Sequence, residues 1–109
     1  MKVSELKEKA GLTLVNTLYD KEIEGVYISD MVSDIIAGAP ANSLLLTIQT
    51  HKNLIATANL ADVAAIVFVR DKKPLDDVRE LAERAKISLF TTELDSWNLA
   101  IKLHELGIA

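Results

Sequence analysis

Leu44-Leu-Leu-Thr-Ile-Gln-Thr-His-Lys-Asn53, followed after a spacer by Ala64-Ala-Ile-Val-Phe-Val-Arg70, is the stretch on which the fold turns. Leu44–Ile48 is apolar on both faces except at Thr47, and Ala64–Val69 is apolar throughout. Such runs mark central strands covered on both sides. Between them Asn53–Val63 reads as a helix, with Leu54, Ala58 and Ala61 on one side. Strand, helix and buried strand in this order read as a βαβ unit, and therefore as parallel pairing. The first strand empties into a polar cluster, Gln49-Thr50-His51-Lys52-Asn53. Ligands of open α/β sheets bind outside the carboxyl ends of the strands, so this cluster is the first candidate for a site.

The same alternation continues outward in both directions. Toward the N-terminus, Ser4–Ala10 reads as a helix capped by Ser4 and closed by Gly11, and Leu12–Val15 as a short edge strand. Val26–Ser29 is the next strand. Asp30 is placed to cap a helix carrying Val32, Ile35, Ile36 and Ala39, which Gly38 and Pro40 stop. Toward the C-terminus, Pro74 opens a helix with Asp76 and Asp77 at its positive end and Leu75, Val78, Leu81, Ala82 and Ala85 as its buried stripe. Ser88–Thr92 is the last strand, and a final helix runs from Asp95 or Ser96 to Leu106, closed by Gly107. On that helix Trp97, Leu99, Ala100, Ile101, Leu103 and Leu106 cover well over half the circumference. One sheet contact hides about a third of a helix surface, so a second apolar contact is expected. Self-association through Trp97, Ile101 and His104 is its simplest source.

Composition narrows the function classes. A chain of 109 residues is a single domain spanning 1–109, with one core. Half of the residues are apolar but only 5% are aromatic, so that core is aliphatic. Cysteine is absent, which removes disulfides, thiolate metal sites and thiol nucleophiles. Twelve basic against sixteen acidic residues give a net charge of −4, without the basic footprint of a nucleic-acid binder. The opening residues lack the apolar segment of a signal peptide, and no apolar run approaches the roughly 18 residues of a membrane span. The expectation is a cytoplasmic protein without membrane or nucleic-acid partners.

The residues that bear chemistry point to binding more than to catalysis. His51 is the histidine at a strand end, where an imidazole serves as base, proton sensor or ligand contact; its plainer role is to cap a helix or a loop. Two distant histidines and no cysteine give no metal-ligand spacing. No Gly-x-Ser-x-Gly elbow or phosphate-binding Gly-Lys-Ser/Thr loop occurs, and Ser29, Ser33 and Ser96 stand where helix caps or first turns belong. No catalytic residue, metal or cofactor is assigned. In a parallel sheet, Asp30, Gln49, Thr50, His51, Asn53, Arg70, Thr91 and Thr92 emerge on one edge. That edge suits a small anionic or nucleotide-like metabolite, with Arg70 as the anion contact.

The stretch Gly25-Val-Tyr-Ile-Ser-Asp-Met-Val-Ser-Asp-Ile-Ile36, then Ile48–Asn53, Ala64–Val69, Pro74 and Leu89-Phe-Thr-Thr92 resembles a DRTGG domain along nearly the whole chain. It is most similar to the small stand-alone members, and through them to the N-terminal domain of HPr kinase/phosphorylase without its kinase domain. The resemblance implies a three-layer α/β/α sandwich around a mostly parallel sheet. It also implies a regulatory or dimer-forming role without chemistry of its own, as in domains beside CBS modules in regulatory pyrophosphatases. Stand-alone forms accompany iron-hydrogenase and redox genes, which implies a link to energy metabolism. The chain departs from the name-giving pattern at two places. Gln49-Thr50-His51 stands where an Asp-Arg pair is usual, and Arg70-Asp71-Lys72-Lys73 where Thr-Gly-Gly is usual. Without the glycine pair, no bare backbone is left to approach a phosphate closely. The leading expectation is a ligand-sensing homodimer; the alternative is an interaction or assembly factor that acts on a partner protein without a ligand pocket.

Overall fold

Four strands run in parallel and one short strand opposes them. In the computed structural model, which describes residues 1–108, the order of elements is α1 (Val3–Ala10), β1 (Thr13–Leu14), β2 (Gly25–Ile28), α2 (Val32–Gly38), β3 (Ser43–Thr47), α3 (Asn53–Ala61), β4 (Ala65–Phe68), α4 (Asp76–Ala85), β5 (Ser88–Thr91) and α5 (Ser96–Glu105). The strands lie in the order β1-β5-β4-β3-β2. β1 pairs antiparallel with β5, and the other pairings are parallel. Each βαβ crossover moves one strand along the sheet, so α2, α3 and α4 all fall on the same face.

The pleat sorts the strand residues between two cores. Leu44, Leu46, Ala65, Val67 and Phe90 meet Val3, Leu6 and Ala10 of α1 and Leu99 and Leu103 of α5. Leu45, Ile66, Phe68 and Leu89 meet Ile35 of α2, Leu54, Ile55 and Ala58 of α3, and Val78 and Ala82 of α4. β3, β4 and β5 are buried along their full length. This is the three-layer α/β/α sandwich expected from the sequence, with β3 and β4 central and β1 at an edge.

Several local readings are corrected. Ser4 does not cap α1; it lies inside the helix, where its amide and hydroxyl both donate to the Asp20 carboxylate at 3.0 Å. The Ser4 amide bond holds the Asp20 carboxyl below its ordinary value. Asp30 does not cap α2, whose first turn follows Met31 without a side-chain cap. Ile36 of α2 is 56% exposed and Leu75 is 69% exposed, so neither joins its helix's buried stripe. Leu75 precedes the first turn of α4, which begins at Asp76, and that places Pro74 outside the helix. Gly11 closes α1 in the left-handed region at φ 66°, as read, and α5 starts at Ser96 behind Asp95, which caps it by accepting from the Asn98 amide at 2.8 Å.

Residues 15–20 are fastened to β5 and α4 by side chains. Asn16 donates through Nδ2 to the Ile87 carbonyl at 2.9 Å and accepts from the Leu89 amide at 2.7 Å, extending the short β1 ladder with an amide group. Tyr19 Oη donates to Glu83 at 2.6 Å, and the Thr17 amide donates to the same carboxylate at 2.8 Å. The Tyr19 bond and then the Thr17 amide pull Glu83 below its ordinary 4.5, while the Glu83 bond raises Tyr19 above its ordinary 10.0. The contribution of Glu83 is present above 4.5 and lost as the pH falls through its lowered value. That of Tyr19 is present below 10.0 and lost as the pH rises through its raised value. The stability difference between the wild type and Glu83→Gln is therefore expected to be largest at neutral pH and to shrink toward both extremes. Urea unfolding midpoints across the pH range check this.

Candidate functional site

Because β2 to β5 are parallel, their carboxyl ends share one edge of the sheet, and every strand-end residue singled out in the sequence lies along it. The residues divide into two groups along that edge.

At the β2–β3 end the polar side chains hold the backbone. Asp30 Oδ1 accepts from Thr47 Oγ1 at 3.0 Å and from the Ile48 amide at 2.8 Å. Thr47 is fully buried, and its oxygen in turn accepts from the Gln49 amide at 3.0 Å. Gln49 Oε1 accepts from the His51 amide at 3.0 Å, and His51 Nδ1 accepts from the Asn53 amide at 3.2 Å. Thr47, Gln49 and His51 thus each satisfy the amide two residues onward, the habit of residues that shape turns and helix starts. His51 supplies one of the partners that the free amides at the start of α3 need. Removing the Asp30 carboxylate is expected to orphan the Thr47 hydroxyl and the Ile48 amide. Asp30→Ala should cost about 1–3 kcal/mol in chemical denaturation.

At the β4–β5 end the edge opens into a cleft of about 450 Å³. Thr91 and Thr92 line it from β5 and the residue after it, Asp71 and Lys73 from the turn after β4, and Glu93 and Leu94 from the segment leading to α5. Ala10, Gly11 and Thr13 close the far wall, and Lys102 reaches in from α5. A Cβ on Gly11 would lie 3.7 Å from Lys102 Nζ, so the ammonium stands close over the end of α1. The volume falls within the range of small-molecule sites.

Of the sequence-identified residues, Thr91 and Thr92 line the cleft, whereas Asp30, Gln49, Thr50, His51, Asn53 and Arg70 do not. Arg70 is exposed and begins an unusual turn, in which Arg70 at φ 57° and Asp71 at φ 56° are both left-handed without being glycine. Its amides point inward: Arg70 donates to the Leu94 carbonyl at 2.8 Å and Asp71 to the Thr92 carbonyl at 2.7 Å. They are engaged and form no anion-binding concavity. The sequence reading missed Asp71, Lys73, Glu93, Lys102 and Gly11 as parts of the site. Lys102 carried only the signal of a helical lysine, and no local pattern ties it to Gly11.

The outer face of α5 is the other feature. Leu99 and Leu103 are buried against the sheet, while Trp97 is 73% and Ile101 40% exposed, with His104 exposed beyond them at helical spacing. The wide apolar arc therefore does have a second, uncovered side. No group of three or more His, Asp or Glu side chains that could hold a metal occurs among the described residues, and no helix among them is long and apolar enough to cross a membrane.

No family model and no curated protein matches the chain. Among solved structures, the fold is similar to the CBS and DRTGG domains of the regulatory region of Clostridium perfringens pyrophosphatase, crystallised with its activator diadenosine tetraphosphate. The TM-score is 0.72 at 14% identity, over 93% of this chain and 45% of that one. The fold is DRTGG-like, and the chain spans less than half of the structure it matches.

Proposed function

We propose that this protein is a non-catalytic regulatory module. It senses a small metabolite carrying an anionic group in the β4–β5 cleft, and it pairs with a second copy through Trp97, Ile101 and His104 of α5. The cleft carries the reading: it is a concave site on the sheet edge where α/β ligands bind, with two ammonium groups, two carboxylates and two threonines in its wall. The structural neighbour adds support as the regulatory region of a pyrophosphatase, in complex with a nucleotide activator.

Light scattering on the purified protein is expected to give a dimer, and Trp97→Glu with Ile101→Glu a folded monomer. A thermal-shift screen of charged metabolites is expected to give a stabilisation of several degrees that Lys102→Met removes. A stabilisation that survives Lys102→Met would move the site elsewhere.

The exposed α5 face also favours a second reading, an interaction or assembly factor that docks on a partner protein and needs no ligand. That reading expects a wild-type partner complex lost in the Trp97/Ile101 double variant and unchanged by Lys102→Met. The resemblance to stand-alone DRTGG modules suggests an enzyme of redox or hydrogenase metabolism as the regulated partner, which co-purification tests.

A further inference from the structure

The wall of the β4–β5 cleft is balanced in charge. Lys73 and Lys102 contribute two cations, Asp71 and Glu93 two anions, and the groups come from the turn after β4, the segment after β5 and α5. A polyanion entering this space meets both carboxylates, and like-charge juxtaposition works against binding. The turn offers no backbone compensation, since the Arg70 and Asp71 amides are engaged by the Leu94 and Thr92 carbonyls.

Asp71 and Lys73 are also spaced for a ligand bearing both charges. Asp71 Oδ1 and Lys73 Nζ lie 3.9 Å apart, with side chains 57% and 70% exposed, so their mutual attraction is weak and each keeps capacity for a second partner. An α-amino acid carries its ammonium and carboxylate on one carbon, at a separation of the same order. Laid head to tail against the pair, its carboxylate faces Lys73 and its ammonium faces Asp71, giving four alternating charges. Thr92 Oγ1 accepts from the Leu94 amide at 3.2 Å and retains a proton to donate. Lys102 and Glu93 remain for the rest of the ligand.

We propose that the cleft binds a zwitterionic metabolite of the amino-acid class. The proposal rests on the cleft being the ligand site of the sensor described above. Isothermal titration of the twenty amino acids singly, ATP and inorganic phosphate against wild type, Asp71→Asn and Lys73→Gln tests it. Asn is the substitute of choice because it tolerates the left-handed backbone at this position. The expected result is binding of at least one amino acid, weakened about tenfold or more by either substitution. ATP and phosphate should neither bind wild type nor compete. Binding of ATP or phosphate in place of amino acids would overturn the ligand class and leave the sensor reading intact. Amino-acid binding unchanged in both variants would overturn the assignment to this cleft. No binding by any probe would remove both readings.

Discussion

Phe68→Ala is expected to destabilise the protein by about 3–5 kcal/mol, the range for truncating a large buried aromatic. Phe68 ends β4, is fully buried, and stands between Thr47 of β3 and Thr91 of β5 in the sheet register. Its ring belongs to the core built from α2, α3 and α4. With only two phenylalanines in 109 residues, the aliphatic neighbours have little bulk in reserve to close the void. A domain of this size has about 5–15 kcal/mol of stability in total, so the variant should sit near the unfolding threshold. Urea denaturation checks the result: the midpoint should fall sharply with the slope unchanged. A loss below about 1 kcal/mol would mean that the site collapses freely, contrary to close packing.

The second large effect is expected at a polar residue. Asn16→Ala should cost about 2–4 kcal/mol, because the Ile87 carbonyl and the Leu89 amide lose their partners together. Asn16→Asp is the informative control. A carboxylate can still accept from the Leu89 amide but faces the Ile87 carbonyl with no proton to offer, so it should recover only part of the loss. Hydrogen exchange at Leu89 gives a local readout: its protection should fall in Asn16→Ala and largely return in Asn16→Asp. Equal protection in all three proteins would show that β1 holds the edge without this side chain.

The strands were legible because continuous burial leaves a continuous signature. Leu44–Ile48 and Ala64–Val69 could be read as central strands since a parallel strand under two helical layers admits no polar face. The width of the apolar arc on α5 was legible for the same reason, and Trp97 and Ile101 are its uncovered part. The starts of α1 and α2 were not. Asp20 reaches Ser4 across a loop, and Asp30 turns away from the helix beside it to hold Thr47 and Ile48. Neighbouring sequence favours a local cap, but tertiary geometry offered each carboxylate a different set of donors. The strand-end site was legible only as an edge. Which part of that edge is concave depends on how closely α5 approaches the end of α1, as Lys102 and Gly11 do, and no periodicity encodes that distance.

The turn at Arg70 and Asp71 has a consequence for how this protein can change. A left-handed backbone costs an L-residue on the order of 1–2 kcal/mol relative to its right-handed form, more than glycine's loss of chain entropy of roughly 0.5–1 kcal/mol. Glycine is therefore expected to make the protein more stable than it is, by up to about 1 kcal/mol at Arg70 and by less at Asp71, whose short polar side chain tolerates the left-handed region better. A search for thermostable variants that scores survival alone would find Asp71→Gly early, and would erase the carboxylate that the cleft presents. If the cleft binds as proposed, stability and recognition pull in opposite directions at this turn, and selection for a tougher protein and selection for a working one should part company there first.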